Sequence, residues 1–308
     1  MFLASAIRVG LFECLGQNPT FAEIAACIGC TRTERLQAWL DVGLELGEIT
    51  DHGDLFEIKG RRARALASGD AVLEAHYRSM LDYQSGPYAE LEDLLRSDPG
   101  DGRTDIDRYA VEIAQVSLAA APFVSSYLTR SIGDLRPARV LDVGCGTGVY
   151  CRIAAGTDPQ VRVEGIDVAE EVIDAARTAA ASAGLDERRI QFHVGDIRHW
   201  TPPTAERYDL VMLLNSVYYV PRPQRVPLYR RLSELLSEHG QIVVSSMMAP
   251  GSPAAAHLHF MLACQAGAAA LPRPGEVESD LSEAGFEINE KQILVPTEPF
   301  IAIRATRR

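Results

Sequence analysis

From Pro137 onward, the hydrophobic pattern alternates between two kinds of stretch. Nearly continuous Val/Ile/Leu runs at Arg139–Val143, Val161–Ile166, Ile190–Val194, Asp209–Leu214 and Gln241–Ser245 read as strands buried on both faces. Between them the spacing predicts helices near 149–156, 170–183 and 224–238. Strand and helix in alternation predict a parallel sheet with right-handed crossovers. After a helix ending at Ala284-Gly285, Glu287–Leu294 and Phe300–Thr306 are predicted strands. Their short link, Val295-Pro-Thr-Glu-Pro299, makes them an antiparallel hairpin.

The first 70 residues follow a different pattern of short helices and a small hairpin. Thr20, with Glu23 three residues on, reads as a capping box that opens a helix carrying Ile24, Ala25 and Ile28. Gly29 breaks it, and Leu36, Trp39, Leu40, Val42 and Leu44 mark the next helix. Strands at 47–50 and 55–58 flank the turn Asp51–Asp54, which completes a winged-helix outline. Met1–Arg8 has no basic front and runs amphipathically into Leu11 and Phe12, so it reads as a core helix, not a leader. Residues 71–130 read as an amphipathic helical linker. Tyr77, Met80, Tyr83, Tyr88, Tyr109, Ile113, Val116 and Phe123 there either pack between domains or roof a substrate cavity.

Composition narrows the function classes. The chain has 308 residues, 47% hydrophobic and 23% charged, with a formal net charge of -12. That balance disfavours nucleic-acid backbones and anionic membranes as partners. No uninterrupted apolar run has the length of a membrane span. Six scattered cysteines fit reduced thiols in a cytoplasmic protein better than a disulfide framework. Cys27-Ile-Gly-Cys30 has redox-like spacing but follows no thioredoxin-like strand, so apolar packing is expected of it.

The chemistry gathers around one turn. Arg139-Val-Leu-Asp142-Val-Gly144-Cys-Gly146-Thr-Gly148 places glycine at every second position after an apolar strand. A dinucleotide fingerprint would read Gly-x-Gly-x-x-Gly. Asp142, inside the strand, suits a cationic group better than a diphosphate. Asp167 ends the second strand, where an acidic residue accepts both hydroxyls of a ribose. Asp196 ends the third strand and can accept from an exocyclic amine, with Ile166, Val168 and Ile197 flanking a flat base. Amine, ribose and adenine in that order describe S-adenosylmethionine. The bland alternative is that Asp167 and Asp196 merely cap helices.

These residues resemble the class I S-adenosylmethionine-dependent methyltransferases. Val-Leu-Asp142-Val-Gly144-Cys-Gly146-Thr-Gly148 is similar to the first family motif, Gly-Ile-Asp167 to the second and Gly195-Asp196 to the third. The resemblance runs from about residue 131 to the end and implies a Rossmann-like α/β domain with a seven-stranded sheet. It implies cofactor binding by Asp142, Gly144, Gly146, Gly148, Asp167, Val168, Asp196, Ile197 and Asn215. Val9-Gly-Leu-Phe12, Thr20–Ile24, Arg35-Leu36 and the hairpin resemble the winged-helix dimerisation module of small-molecule O-methyltransferases. A homodimer formed through the mostly helical N-terminal domain is therefore expected.

The acceptor side departs from that pattern. Where many such enzymes carry His-Asp-Trp after the fourth strand, this chain has Asn215-Ser-Val-Tyr218-Tyr219-Val-Pro221. Asn215 can orient an acceptor or touch the cofactor, and Tyr219 can line the pocket. His257 and His259, after the fifth strand, are each open to several roles: packing, general base, carbonyl donor or ligand of a metal such as iron. Residues two apart on a helix point in different directions, so no shared metal is expected. The leading expectation is methyl transfer to a small molecule, with oxygen favoured. C-methylation of an aromatic or 2-oxo acid, assisted by His257 or His259, is the alternative. A winged-helix DNA-binding regulator and a cofactor-binding rearrangement enzyme are more remote.

Overall fold

The computed structural model describes residues 1–98, 101–104, 107–266 and 270–308. It divides into two compact units, Met1–Glu92 and Asp93–Arg308, so the helical stretch 71–130 is shared between them.

In the N-terminal unit, helices Phe2–Arg8, Leu11–Cys14, Phe21–Cys27 and Thr33–Glu45 precede a hairpin of β1 (Ile49–Asp51) and β2 (Phe56–Ile58). The capping box forms: Glu23 N–H donates to Thr20 Oγ1 at 3.3 Å, and Thr20 N–H to Glu23 Oε2 at 2.8 Å. One apolar cluster includes Phe2, Leu11, Ile24, Leu40, Ile49 and Phe56. Ordering of the helix Phe2–Arg8 is therefore a matter of burial, as its apolar face predicts. The expectation of six thiols is corrected. Cys14 and Cys27 are joined in a disulfide, while Cys30, Cys145, Cys151 and Cys264 remain thiols. The turn between the helices brings the two Cα atoms to 6.1 Å, within bridging range. Cysteine usage by itself therefore no longer points to a reducing compartment.

The C-terminal unit is built on a seven-stranded sheet: β3 (Arg139–Val143), β4 (Arg162–Asp167), β5 (Ile190–Val194), β6 (Tyr208–Leu214), β7 (Leu236–Met247), β8 (Phe286–Val295) and β9 (Phe300–Arg307). The order is β5-β4-β3-β6-β7-β9-β8. Pairs from β5 to β7 are parallel; β9 runs antiparallel to both β7 and β8. Alternate residues feed two cores. Val140, Leu210 and Met212 enter one layer, while Leu141, Val211 and Leu213 enter the other. The strand order reverses at β3, between β4 and β6, and a crevice opens there beyond the carboxyl ends of the strands.

One helical stretch, Ala110–Leu135, is long and apolar enough to cross a membrane by length and composition alone. Its apolar side chains have other uses. Val124, Tyr127, Leu128 and Ile132 enter the sheet core, and Ile113, Ala114 and Leu118 face the crevice. Arg130 near its end forms an ion pair with Glu290 of β8 at 2.7 Å. The run is broken by Ser117, Pro122 and Arg130, which is why it does not stand out as a span in the sequence.

Candidate functional site

The crevice holds a cavity of about 410 Å³ at the ends of β3, β4, β5 and β6. Its floor is the turn after β3. Gly144 and Gly148 have φ of 70° and 69°, a region that side chains rarely adopt. A Cβ at Gly148 would lie 2.6 Å from the Phe192 ring, and one at Gly144 would lie 2.8 Å from Ser216 Cβ. Glycine is thus required both by conformation and by close approach.

Asp167 locks this turn to β4. Its Oδ2 accepts from Gly146 N–H at 2.9 Å and its Oδ1 from Ala169 N–H at 3.1 Å. Gly144 N–H and Cys145 N–H both donate to the Ile166 carbonyl, at 2.8 and 3.1 Å. The carboxylate lines the cavity with Val168, which stays 66% exposed on its rim. Asp196 and Ile197 line the same wall. The Asp196 carboxylate is held by Arg198, whose Nε lies 2.9 Å from each oxygen. That guanidinium holds the Asp196 carboxyl below the usual carboxylate range. Arg198 also donates to Gln224 at 2.9 Å, so an amine reaching Asp196 has to share the carboxylate with it.

Asp142 is placed differently from the other two carboxylates. It lies behind the glycine turn, 1% exposed, and is not among the described residues lining the cavity. The Cys151 thiol donates to its Oδ2 at 3.3 Å, and its Oδ1 has no partner among the described residues. Burial pushes the Asp142 carboxyl up to about 7, against the pull of the Cys151 thiol and with the charge of Asp167 adding to the rise. Between its ordinary value of 3.8 and about 7, the folded protein holds a proton that the unfolded chain has lost. Stability from this group is therefore lost as pH rises through that window. We expect the urea midpoint of the ligand-free protein to fall from pH 5 to pH 8 more steeply than that of Asp142→Asn. Equal slopes would rule out a buried titrating Asp142.

Asn215, at the end of β6, has φ of 56°, a left-handed conformation that asparagine tolerates. Its N–H donates to Ser245 O at 2.9 Å, and the residue faces the cavity with Tyr218 and Tyr219, whose rings lie 4.7 Å apart. The two histidines require a correction. His257 and His259 sit on the helix Pro253–Ala263 and are not among the cavity-lining residues. His259 Nδ1 is buried without a partner among the described residues. Among the described residues no group of three or more His, Cys, Asp or Glu is placed to hold a metal.

Two residues escaped sequence reasoning: Tyr150 and Cys151, on the helix Val149–Thr157 that follows the turn. Both fall within the predicted helix near 149–156, which assigned neither a role. The available signal was a phenol immediately after a ligand-binding turn, where an aliphatic residue would serve packing alone.

Comparison with known proteins places this geometry. Residues 140–240 match the family model described as a methyltransferase domain. The 27-O-demethylrifamycin SV methyltransferase of Amycolatopsis mediterranei is 30% identical over 152 residues, covering 48% of this chain and 54% of that protein. The chain thus spans about half the length of that relative. Over its whole length, the fold is similar to that of the mitomycin 7-O-methyltransferase MmcR, with a TM-score of 0.82, 18% identity and coverage of 100% and 93% of the two chains. Human N-acetylserotonin methyltransferase in complex with S-adenosylmethionine gives a TM-score of 0.78 at 17% identity, covering 99% of this chain and 93% of that one.

Proposed function

We propose that this chain, whose residues 140–240 form a methyltransferase domain, transfers the methyl group of S-adenosylmethionine to a small apolar molecule, with oxygen the favoured acceptor atom. One observation carries the reading. Acidic residues on or just beyond three adjacent parallel strands (Asp142, Asp167 and Asp196) surround a left-handed glycine turn beside one cavity.

The residues present fit the cofactor. Asp142 Oδ1 is a buried acceptor without a partner among the described residues, suited to an ammonium group. Asp167 faces the cavity with lone pairs left for two ribose hydroxyls. Ile166, Val168 and Ile197 supply apolar surface for a purine edge, and Asp196 an acceptor for its amine. When bound, S-adenosylmethionine supplies a methyl group already activated on a sulfonium, so the chemistry is an in-line displacement. The protein's share is then alignment and exclusion of water. Ile113, Leu118, Tyr218, Tyr219 and Val220 form an apolar wall for the acceptor, and Asn215 offers an amide to orient it. That wall suits a planar, uncharged acceptor better than a 2-oxo acid. The place of His257 and His259 outside the cavity lining removes the support for histidine-assisted C-methylation.

The N-terminal unit, whose helices Phe21–Cys27 and Thr33–Glu45 precede the β1–β2 hairpin, is read as a winged-helix dimerisation module. Exposed Val9, Val42 and Leu46 on that unit support a homodimer, and secondary-metabolite biosynthesis in the cytoplasm completes the reading. The test is calorimetric titration with S-adenosylhomocysteine, followed by a screen of phenolic acceptors for its release from S-adenosylmethionine. Saturable binding with turnover of uncharged phenols is expected; absence of binding overturns the reading.

A further inference from the structure

We propose that the Tyr150 hydroxyl positions the amino-acid end of the cofactor by donating a hydrogen bond to its carboxylate. The proposal rests on the S-adenosylmethionine reading above and adds a residue that no motif assigns. Tyr150 is the second residue of the helix Val149–Thr157, which begins directly after Gly148. Its side chain lines the cavity and is only 7% exposed, yet its hydroxyl has no hydrogen-bond partner among the described residues. Buried hydroxyls without partners are rare in folded proteins, and each calls for an explanation.

Asp142 supplies the second observation. Its Oδ1 is also buried and without a partner among the described residues, and its charge adds to the rise of the Tyr150 phenol. One orphaned atom is a donor and the other an acceptor, and they do not bond each other. A zwitterionic amino-acid group satisfies both: its ammonium donates to Asp142 Oδ1 and its carboxylate accepts from Tyr150. Burial, aided by Asp142 and Tyr218, pushes the phenol well above its ordinary value, so it stays protonated and acts only as a donor. The same shift makes it unfit as a general base toward an acceptor. The first turn of the helix adds a favourable field for a carboxylate.

Tyr150→Phe removes the hydroxyl and keeps the packing. Two probes separate the outcomes: S-adenosylhomocysteine, and 5′-methylthioadenosine, which has the same adenosine and thioether but no amino-acid group. The variant is expected to bind S-adenosylhomocysteine roughly 10-fold or more weakly, the range for a lost hydrogen bond to a charged group. Its affinity for 5′-methylthioadenosine and its ligand-free melting temperature should stay at or above wild-type values. Equal weakening toward both probes, or no change toward either, overturns the role of Tyr150 while leaving the cofactor reading standing. Failure of the wild-type protein to bind either probe overturns both.

Discussion

Asp167→Ala is expected to abolish measurable cofactor binding while leaving the protein folded. The carboxylate has two tasks. It fixes the glycine turn through Gly146 and Ala169 N–H, and it presents its remaining lone pairs to the cavity. Loss of two charged hydrogen bonds to a ribose diol, at roughly 1.5–3 kcal/mol each, corresponds to about 10²-fold to 10⁴-fold in affinity. The freed backbone N–H groups border the cavity and can turn to water, so the fold survives. Asp167→Asn, which keeps the shape but lacks an acceptor-only group, should fall between wild type and alanine. Calorimetry with S-adenosylhomocysteine, with circular dichroism as the control for folding, reads the effect. Wild-type affinity in Asp167→Ala would show that the carboxylate does not hold the ribose.

The second large effect concerns stability. Arg139 opens β3, 6% exposed, and contacts Glu164 of β4, Thr204 at 2.9 Å and Glu206 at 2.8 Å, with its guanidinium 4.9 Å above the Tyr208 ring. Arg139→Met leaves the buried Glu164 carboxylate with only His193, 3.2 Å away, as a potentially charged partner among the described residues. Breaking such a pair costs about 3–5 kcal/mol. Burial alone would push the Glu164 carboxyl up, but hydrogen bonds from His193 and Arg139 outweigh it and hold the group below its ordinary value. In wild type, the contribution of Glu164 is therefore present above its ordinary value of 4.5 and lost as pH falls below it. Without Arg139 the shift reverses, so the deficit of Arg139→Met should be larger at pH 7 than at pH 5. Urea melts at the two pH values measure this, and Glu164→Gln in the Arg139→Met background should restore part of the loss. A pH-independent deficit would mean that lost packing over Tyr208, not the orphaned charge, is responsible.

That the glycine turn, Asp167 and Asp196 meet at one cavity was legible because the signals are local. An apolar strand, a glycine turn and an acidic strand end are each written within ten residues, and sheet order brings them together. What could not be read was orientation. Asp142 belongs to the predicted motif, yet it is buried beneath the cavity lining, with Oδ2 held by Cys151 and Oδ1 left without a partner among the described residues. His257 and His259 are chemically suited to catalysis, but the helix carrying them turns both outside the cavity lining. The Cys14–Cys27 bridge depends on how two short helices fold back on each other, which cysteine count and chain length do not encode. Ile113 was recognised as a packing or roofing residue, and only the tertiary arrangement brings it to the cavity wall.

The origin of the cavity walls also bears on how this protein could change over evolution. The proposed cofactor residues from Asp142 to Ile197 come from one unbroken segment, whereas the acceptor wall is gathered from 113–118, 218–220 and Ala266. Apart from Ala114, which packs near Gly146, substitutions in the second set can reshape the cavity without altering the residues of the glycine turn. Under the proposed function, change in acceptor preference is therefore separable from change in cofactor binding.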